Sequence, residues 1–186
     1  MSTASPEFFP PIVLMGVSGS GKSTIGDLLA ERSGRIYIDG DDLHPESNRE
    51  KLRAGIPLTD ADREPWLHSI GRRLAVGDGV IMACSALKRS YRDLLRSYAK
   101  NAYFAHLDGS RELLLQRLGS RHHEFMPASL LDSQLATLER LQPDEFGGVF
   151  DIAKTPEEIV TAIGAALAAG QPVDIQAPAP GDIICE

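Results

Sequence analysis

Five short apolar runs punctuate the chain, at residues 12–15 (IVLM), 35–38 (RIYI), 80–84 (VIMAC), 103–107 (YFAHL) and 149–152 (VFDI). Runs of four or five such residues between turn-forming segments are the pattern of buried strands. The stretches between them carry the other period. Ile25, Leu28 and Leu29 fall on one helical face, and Leu87, Tyr91, Leu94, Leu95 and Tyr98 repeat at helical spacing with Ser85 as the expected N-cap. The last helix is marked at both ends. Thr155 is its N-cap, Pro156 its first residue and Glu158 the partner of a capping box; Ile159, Ile163 and Leu167 share a face before Gly170. Strands alternating with helices predict an α/β fold, a five-stranded parallel sheet with helices on both faces.

Length and charge narrow this picture. The 186 residues make one domain, expected over 1–170, and the segment QPVDIQAPAPGDIICE (171–186) reads as a flexible tail. Nineteen basic against 26 acidic residues give a net charge of −7, which argues against a nucleic-acid or membrane-surface partner while leaving room for a local basic pocket. Two cysteines, Cys84 and Cys185, make no disulfide framework. With no signal-peptide pattern and no membrane-length apolar run, the expected location is the cytoplasm.

The first strand runs straight into GVSGSGKST, residues 16–24. Gly16, Gly19, Gly21, Lys22 and Ser23 fit G-x-x-x-x-G-K-[ST], a turn whose backbone N–H groups cradle phosphate oxygens. Lys22 is expected on the β- and γ-phosphates and Ser23 on Mg²⁺, with the following helix turning its positive end to the anion. Gly16, Ser18, Gly19, Ser20, Gly21, Lys22, Ser23 and Thr24 are thus the candidate phosphate site.

In open parallel sheets, ligands lie beyond the carboxyl ends of the strands. After the second apolar run comes DGDDLHP, with Asp39, Asp41, Asp42 and His44. Asp39 and Asp41 can divide labour there, one on the water shell of Mg²⁺ and the other taking a proton from a substrate hydroxyl. His44 reads equally as a sugar contact or as a loop-packing residue. Lys88, Arg92 and Arg96 form a basic stripe at i, i+4, i+8. The first two stand near a helix N-terminus, where cations are unfavourable unless an anion binds, so an anionic acceptor is expected against them and Arg96 is assigned to solvent. Arg117 and Arg121 precede a polar insertion carrying His122 and His123. That insertion reads as a mobile lid over about 118–142, with its arginines neutralising the transferring phosphoryl group.

Together, LMGVSGSGKST, IDGDDLHPESNREKLRAGIPLTDADREPWL, CSALKRSYRDLLR and LLDSQLATLE resemble the gluconate kinases of the small P-loop type, relatives of shikimate and adenylate kinases. The likeness runs from about Ile12 to Gly170. It implies a P-loop kinase three-layer sandwich with a lid, ATP-dependent phosphorylation of D-gluconate to 6-phosphogluconate, and a homodimer. It also implies Lys22, Asp41 and Arg121 as catalytic residues, Asp39 on the metal through water, and Arg117 and Arg121 over ATP. Lys51, Arg63, Lys88 and Arg92 would lie near the sugar acid. A shikimate-type kinase shares the loop and the D-x-D turn but does not usually show CSALKRSYR after its third strand. A nucleoside monophosphate kinase would also suit an anionic pocket, whereas a GTPase needs an N-K-x-D reader and an aspartate at the end of VIMAC.

Overall fold

The computed structural model describes residues 9–119 and 128–170. Five strands, β1 (Ile12–Met15), β2 (Tyr37–Asp39), β3 (Ile81–Ala83), β4 (Tyr103–Asp108) and β5 (Gly147–Asp151), form one sheet in the order β2-β3-β1-β4-β5. Every neighbouring pair is parallel. Seven helices accompany them: α1 (Lys22–Ser33), α2 (Glu46–Arg53), α3 (Asp60–Leu74), α4 (Arg89–Tyr98), α5 (Arg111–Gly119), α6 (Ala128–Thr137) and α7 (Pro156–Ala169).

Side chains alternate across β1, so Ile12 and Leu14 enter one core while Val13 and Met15 enter the other. The first core takes Ile25 and Leu29 of α1, Leu114 of α5, Leu131 of α6 and Ile159 and Ile163 of α7. The second takes Trp66, Ile70 and Leu74 of α3 and Tyr91 and Leu95 of α4. The result is the expected three-layer sandwich. Because β1 lies between β3 and β4, its carboxyl end stands at a switch point in the strand order, and the loop to α1 begins there.

Two of the strands shift from the expected ranges for identifiable reasons. β5 starts at Gly147 because Gly147 and Gly148 pair with Phe104 and Ala105, and glycines leave no apolar mark in the sequence. Before β2, Arg35 leaves the strand pattern and donates Nη2 to the Pro10 carbonyl at 2.6 Å. Helices α2 and α3, both between β2 and β3, are absent from the sequence reading. α2 buries a single residue, Asn48, and so shows no apolar stripe. The α7 signals hold throughout: the Thr155–Glu158 capping box is formed and Gly170 takes a left-handed φ of 61°. Residues 171–186, expected as a tail, lie outside the described residues.

Candidate active site

The loop between β1 and α1 is shaped by backbone freedom. Gly16, Gly19 and Gly21 have φ of 144°, 82° and 92°, in the region that L side chains avoid. At Gly16 a Cβ would also stand 2.7 Å from the Leu107 carbonyl oxygen. Lys22 opens α1 and folds back, its Nζ donating to the carbonyls of Gly16 (2.9 Å) and Val17 (3.1 Å). The Gly16 N–H donates to the Ser85 carbonyl at 3.2 Å, and the Ser18 N–H to Gln134 Oε1 at 2.7 Å. Ser20 Oγ is buried and has no partner among the described residues, so the loop holds an orphaned hydroxyl where an anion would seat.

Beside this loop is a cleft of about 230 Å³ lined by Gly19, Gly21, Thr24, Arg117, Lys154 and Pro156, among others. Arg117 donates Nη2 to the Ile152 carbonyl, and its Nη1 lies 3.4 Å from where a Cβ on Gly21 would be. Lys154 went unread in the sequence and Pro156 was read there only as the first residue of the last helix; the signal available was their position just after the fifth strand, at the ligand edge. Arg121 lies outside the described residues.

On the other side of the loop, Gly40–Leu43 make a 3-10 turn directly after β2. Asp39 caps it, accepting the Asp41 N–H at 3.1 Å. The turn can sit this deep because Gly40 has no side chain: a Cβ there would meet the Ala83 carbonyl at 2.2 Å. Trp66 Nε1 fixes the same turn by donating to the Gly40 carbonyl at 2.7 Å. The Asp41 side chain is 83% exposed. Burial pushes the Cys84 thiol up to about 12; Asp41 and Asp39 add to the rise, while the Ala86 N–H and Lys22 oppose it. Lys22 and the two aspartates therefore act on one point at the end of β3. Burial likewise pushes the Tyr37 phenol up to about 12, with Ser23 opposing and Asp39, Asp27 and Asp41 adding. Ser23 and the acidic turn thus share one neighbourhood, a hydroxyl and carboxylates of the hard-oxygen type that Mg²⁺ prefers.

His44 lies flat on Trp66, ring centroids 4.3 Å apart, and is only 8% exposed. Asn48 donates Nδ2 to the Asp62 carbonyl (2.7 Å), which fixes its amide, so its 3.3 Å contact with His44 Nδ1 makes that nitrogen the acceptor. The His44 proton then sits on Nε2, 3.8 Å from Asp41 Oδ1. Burial, with the charges of Arg63 and Arg49, lowers this histidine to about 4, so it is neutral at physiological pH. Of the two readings of His44, loop packing describes what the ring does.

The candidate acceptor cations divide. Lys51 donates to Asp62 at 2.6 Å, and Lys88 donates to both oxygens of Asp60, at 2.9 and 2.7 Å. Arg63 donates to the Leu58 carbonyl at 2.6 Å and acts electrostatically on His44, Asp60 and Tyr91. Lys51 and Lys88 thus meet the first turn of α3 through Asp62 and Asp60, and Arg63 belongs to that same turn. Arg92 takes no part in this. It is wholly buried, pairing through Nε and Nη2 with Glu145 at 2.7 and 2.9 Å and donating Nη1 to the carbonyls of Ala86 and Leu87. Its donors are spent inside the protein, which corrects its assignment to the sugar acid. Arg96 is corrected as well: it donates to Glu145 at 2.8 Å and is 17% exposed.

The helix these residues share also begins later than expected. Lys88, not Ser85, is the N-cap of α4, and Ser85 stands one residue before Ala86, whose φ of 44° is strained for a residue with a Cβ. The positive end of α4 already has its anion, because the Arg89 N–H donates to Glu139 Oε2 at 2.6 Å. Within the expected lid range, the described part is docked: Leu131 and Leu141 are buried in the two cores.

A phosphate-cradling loop at the switch point, a lysine on it and an acidic turn beside it define a P-loop kinase. The sequence family described as an AAA domain matches at residues 12–141. The chain is 51% identical over 138 residues to the gluconokinase of Gluconobacter oxydans (strain 621H), covering 72% of this chain and 78% of that one. It is 43% identical over 163 residues to the thermosensitive gluconokinase of Escherichia coli (strain K12), covering 81% and 86%. The crystal structure of a gluconokinase from Sinorhizobium meliloti 1021 superposes with a TM-score of 0.82 at 49% identity, covering 87% and 93%. The shikimate kinase of Aquifex aeolicus vf5, at 18% identity and a TM-score of 0.53, shares the fold alone. The chain belongs to the gluconokinase family.

Proposed function

We propose that this protein transfers the γ-phosphoryl group of ATP to the primary hydroxyl of D-gluconate, giving 6-phospho-D-gluconate and ADP. The observation that carries the reading is that the glycine-shaped loop with Lys22 follows β1 and the acidic turn with Asp39 and Asp41 follows β2, the two parallel strands that flank β3, so both stand at the same edge of the sheet. The loop N–H groups and Lys22 bind the triphosphate, and Arg117 and Lys154 lie along the adjoining cleft for the nucleoside. Ser23, with Asp39 through water, would hold Mg²⁺, which when bound neutralises charge on the β- and γ-phosphates.

Asp41 takes the proton as the acceptor oxygen bonds to the γ-phosphorus and the bond from phosphorus to the β–γ bridging oxygen breaks, leaving that oxygen on ADP. His44, neutral and locked on Trp66, keeps its Nε2 3.8 Å from Asp41 Oδ1, close to the turn but beyond a direct hydrogen bond. Lys51, Arg63 and Lys88 bind the acid at the other end of the open-chain sugar. Glucose offers them no carboxylate.

A coupled ADP-release assay with gluconate, glucose, shikimate and nucleoside monophosphates side by side tests the reading. Gluconate preferred at least about 30-fold in kcat/KM over glucose is the expected result, since three partly exposed cations together lose a carboxylate partner with glucose. Turnover of shikimate or a monophosphate in preference to gluconate would overturn it. The same reading includes a cytoplasmic homodimer with no nucleic-acid or membrane partner. The net charge of −7 argues against a nucleic-acid partner; among the described residues no helix is long and apolar enough to cross a membrane, and the dimer rests on the family resemblance alone. Light scattering on the purified chain checks the dimer.

A further inference from the structure

Gln134 sits on α6, 116 residues from Ser18, and accepts its N–H at 2.7 Å. Two further links meet this one. Five residues on, the Glu139 N–H donates to the Leu87 carbonyl at 2.8 Å and the Glu139 carboxylate takes the Arg89 N–H. Two residues before Leu87, the Ser85 carbonyl receives the Gly16 N–H, which returns the path to the phosphate loop. Gly16, Ser18, Gln134, Glu139, Leu87 and Ser85 thus form a closed circuit joining the loop that holds the nucleotide to the segment that presents Lys88. The segment from Gln134 to Glu139 is its arm: the Leu138 N–H donates to the Gln134 carbonyl at 3.0 Å, and Leu135 and Leu138 pack against the first core.

Every link in the circuit except Gln134–Ser18 and Glu139–Arg89 joins backbone to backbone, so the first of these is where a side chain decides the setting of the phosphate loop. We propose that Gln134 is a positioning residue for phosphoryl transfer, holding the loop at Ser18 in register with the acceptor segment at 85–89. In-line transfer is sensitive to displacements of the order of 1 Å between nucleophile and phosphorus. A neutral carboxamide suits the task, since it accepts the N–H without setting a second anion beside the triphosphate. The inference rests on the kinase reading for its catalytic consequence but not for the anchor itself.

The test compares full-length Gln134→Met, which keeps the length but loses the acceptor, with Gln134→Glu, which keeps an acceptor and adds charge. Hydrogen exchange of the amides at 16–21 in nucleotide-free protein should quicken in Gln134→Met and stay near wild type in Gln134→Glu. In assays, Gln134→Met should lower kcat with gluconate at least about 10-fold with little change in the KM for ATP. Its ratio of ATP hydrolysis to sugar phosphorylation should rise several-fold. Gln134→Glu should keep that ratio and instead raise the KM for ATP through repulsion. A role in packing alone would move melting temperature and leave the ratio in place. Wild-type exchange and coupling in Gln134→Met, or equal kcat losses in both variants, would overturn the proposal. If the wild type proved inactive on gluconate, the function would fall while the exchange comparison still judged the anchor.

Discussion

Lys88 and Arg92 stand four residues apart and carry the same charge, yet they belong to different regions of the molecule. Lys88 caps α4 at the rim of the proposed acceptor site, its side chain 30% exposed and paired with Asp60, itself 63% exposed. Arg92, one turn on, is sealed between α4 and the segment returning from α6, where its partner Glu145 is also fully buried. Burial alone would raise the Glu145 carboxyl, but the bonds from Arg92, the Gln142 N–H and Arg96 outweigh it and hold it below the ordinary range. The rim keeps its charges where a substrate can exchange partners with them. The inner cluster uses its charges to bind one part of the chain to another. Periodicity gives both cations one stripe, and depth separates their work.

The largest effect should come from the rim side. Asp41→Asn removes the base while leaving the 3-10 turn, whose cap is Asp39. It is expected to cut kcat by about 10²- to 10⁴-fold with ATP binding and melting temperature unchanged. If Asp41→Asn turns over normally while Asp39→Asn is dead, the two roles are exchanged.

The inner cluster should answer in the opposite currency. Arg92→Met leaves the buried Glu145 with Arg96 and the Gln142 N–H as its remaining partners and should destabilise by at most about 3–5 kcal/mol, seen as a melting temperature lower by about 10 °C. Arg92→Met combined with Glu145→Leu should recover most of that. The folded fraction of either variant should still prefer gluconate to glucose. Selectivity lost with stability retained would return Arg92 to the acceptor site.

The division between these regions explains what the sequence discloses. The shape of the glycine loop is legible because it is local: Gly16, Gly19 and Gly21 take the positive φ that the motif requires. The acidic turn is legible for the same reason, since Asp39 and Asp41 stand together at one strand end. Arg92 is misread because its partner lies 53 residues away in a stretch, QPDEF, with no pattern of its own. Glu139 is hidden likewise, and its carboxylate cancels the unmet helix end from which an anionic ligand at Arg92 was inferred. Gln134 meets Ser18 only across 116 residues. The sheet needed no such partners, as each strand's apolar run is its own signal, and boundaries blurred chiefly where Arg35 leaves the β2 pattern and where glycines open β5.

Acid should strain both regions, since each holds a neutral buried histidine. His106, on β4, is 1% exposed and neither ring nitrogen has a partner among the described residues. Burial lowers it to about 4, with Arg140 and Arg92 adding and Asp108 opposing. Its folded value lies below the unfolded one near 6.5, so the unfolded chain gains protons that the folded chain refuses. Stability should therefore be intact above about pH 6.5 and fall as the pH drops toward 4, by about 3 kcal/mol for a shift of this size. His106→Phe should flatten that part of the profile. An equally steep profile in the variant would place the acid sensitivity in His44 or elsewhere.

The smallest effect, and the one that sharpens the comparison most, belongs to Lys88. The Lys88–Asp60 pair is open to solvent, and such pairs add little to folding because water and salt compete for both partners. Lys88→Met should leave the melting temperature where it is. Asp60, losing a donor, keeps the Tyr91 hydroxyl as a partner, so the loop has no unmet burial to relieve. The cost should appear only when a carboxylate arrives. With Arg63 and Lys51 still present, the KM for gluconate is expected to rise by about 10-fold, a fraction of the loss from a fully buried pair, while kcat and the KM for ATP hold. Raising the salt concentration should weaken gluconate binding in the wild type more than in the variant, because one exposed charge fewer takes part. A melting temperature that falls with Lys88→Met, with gluconate binding unaltered, would make Lys88 another structural cation and erase the distinction between rim and interior.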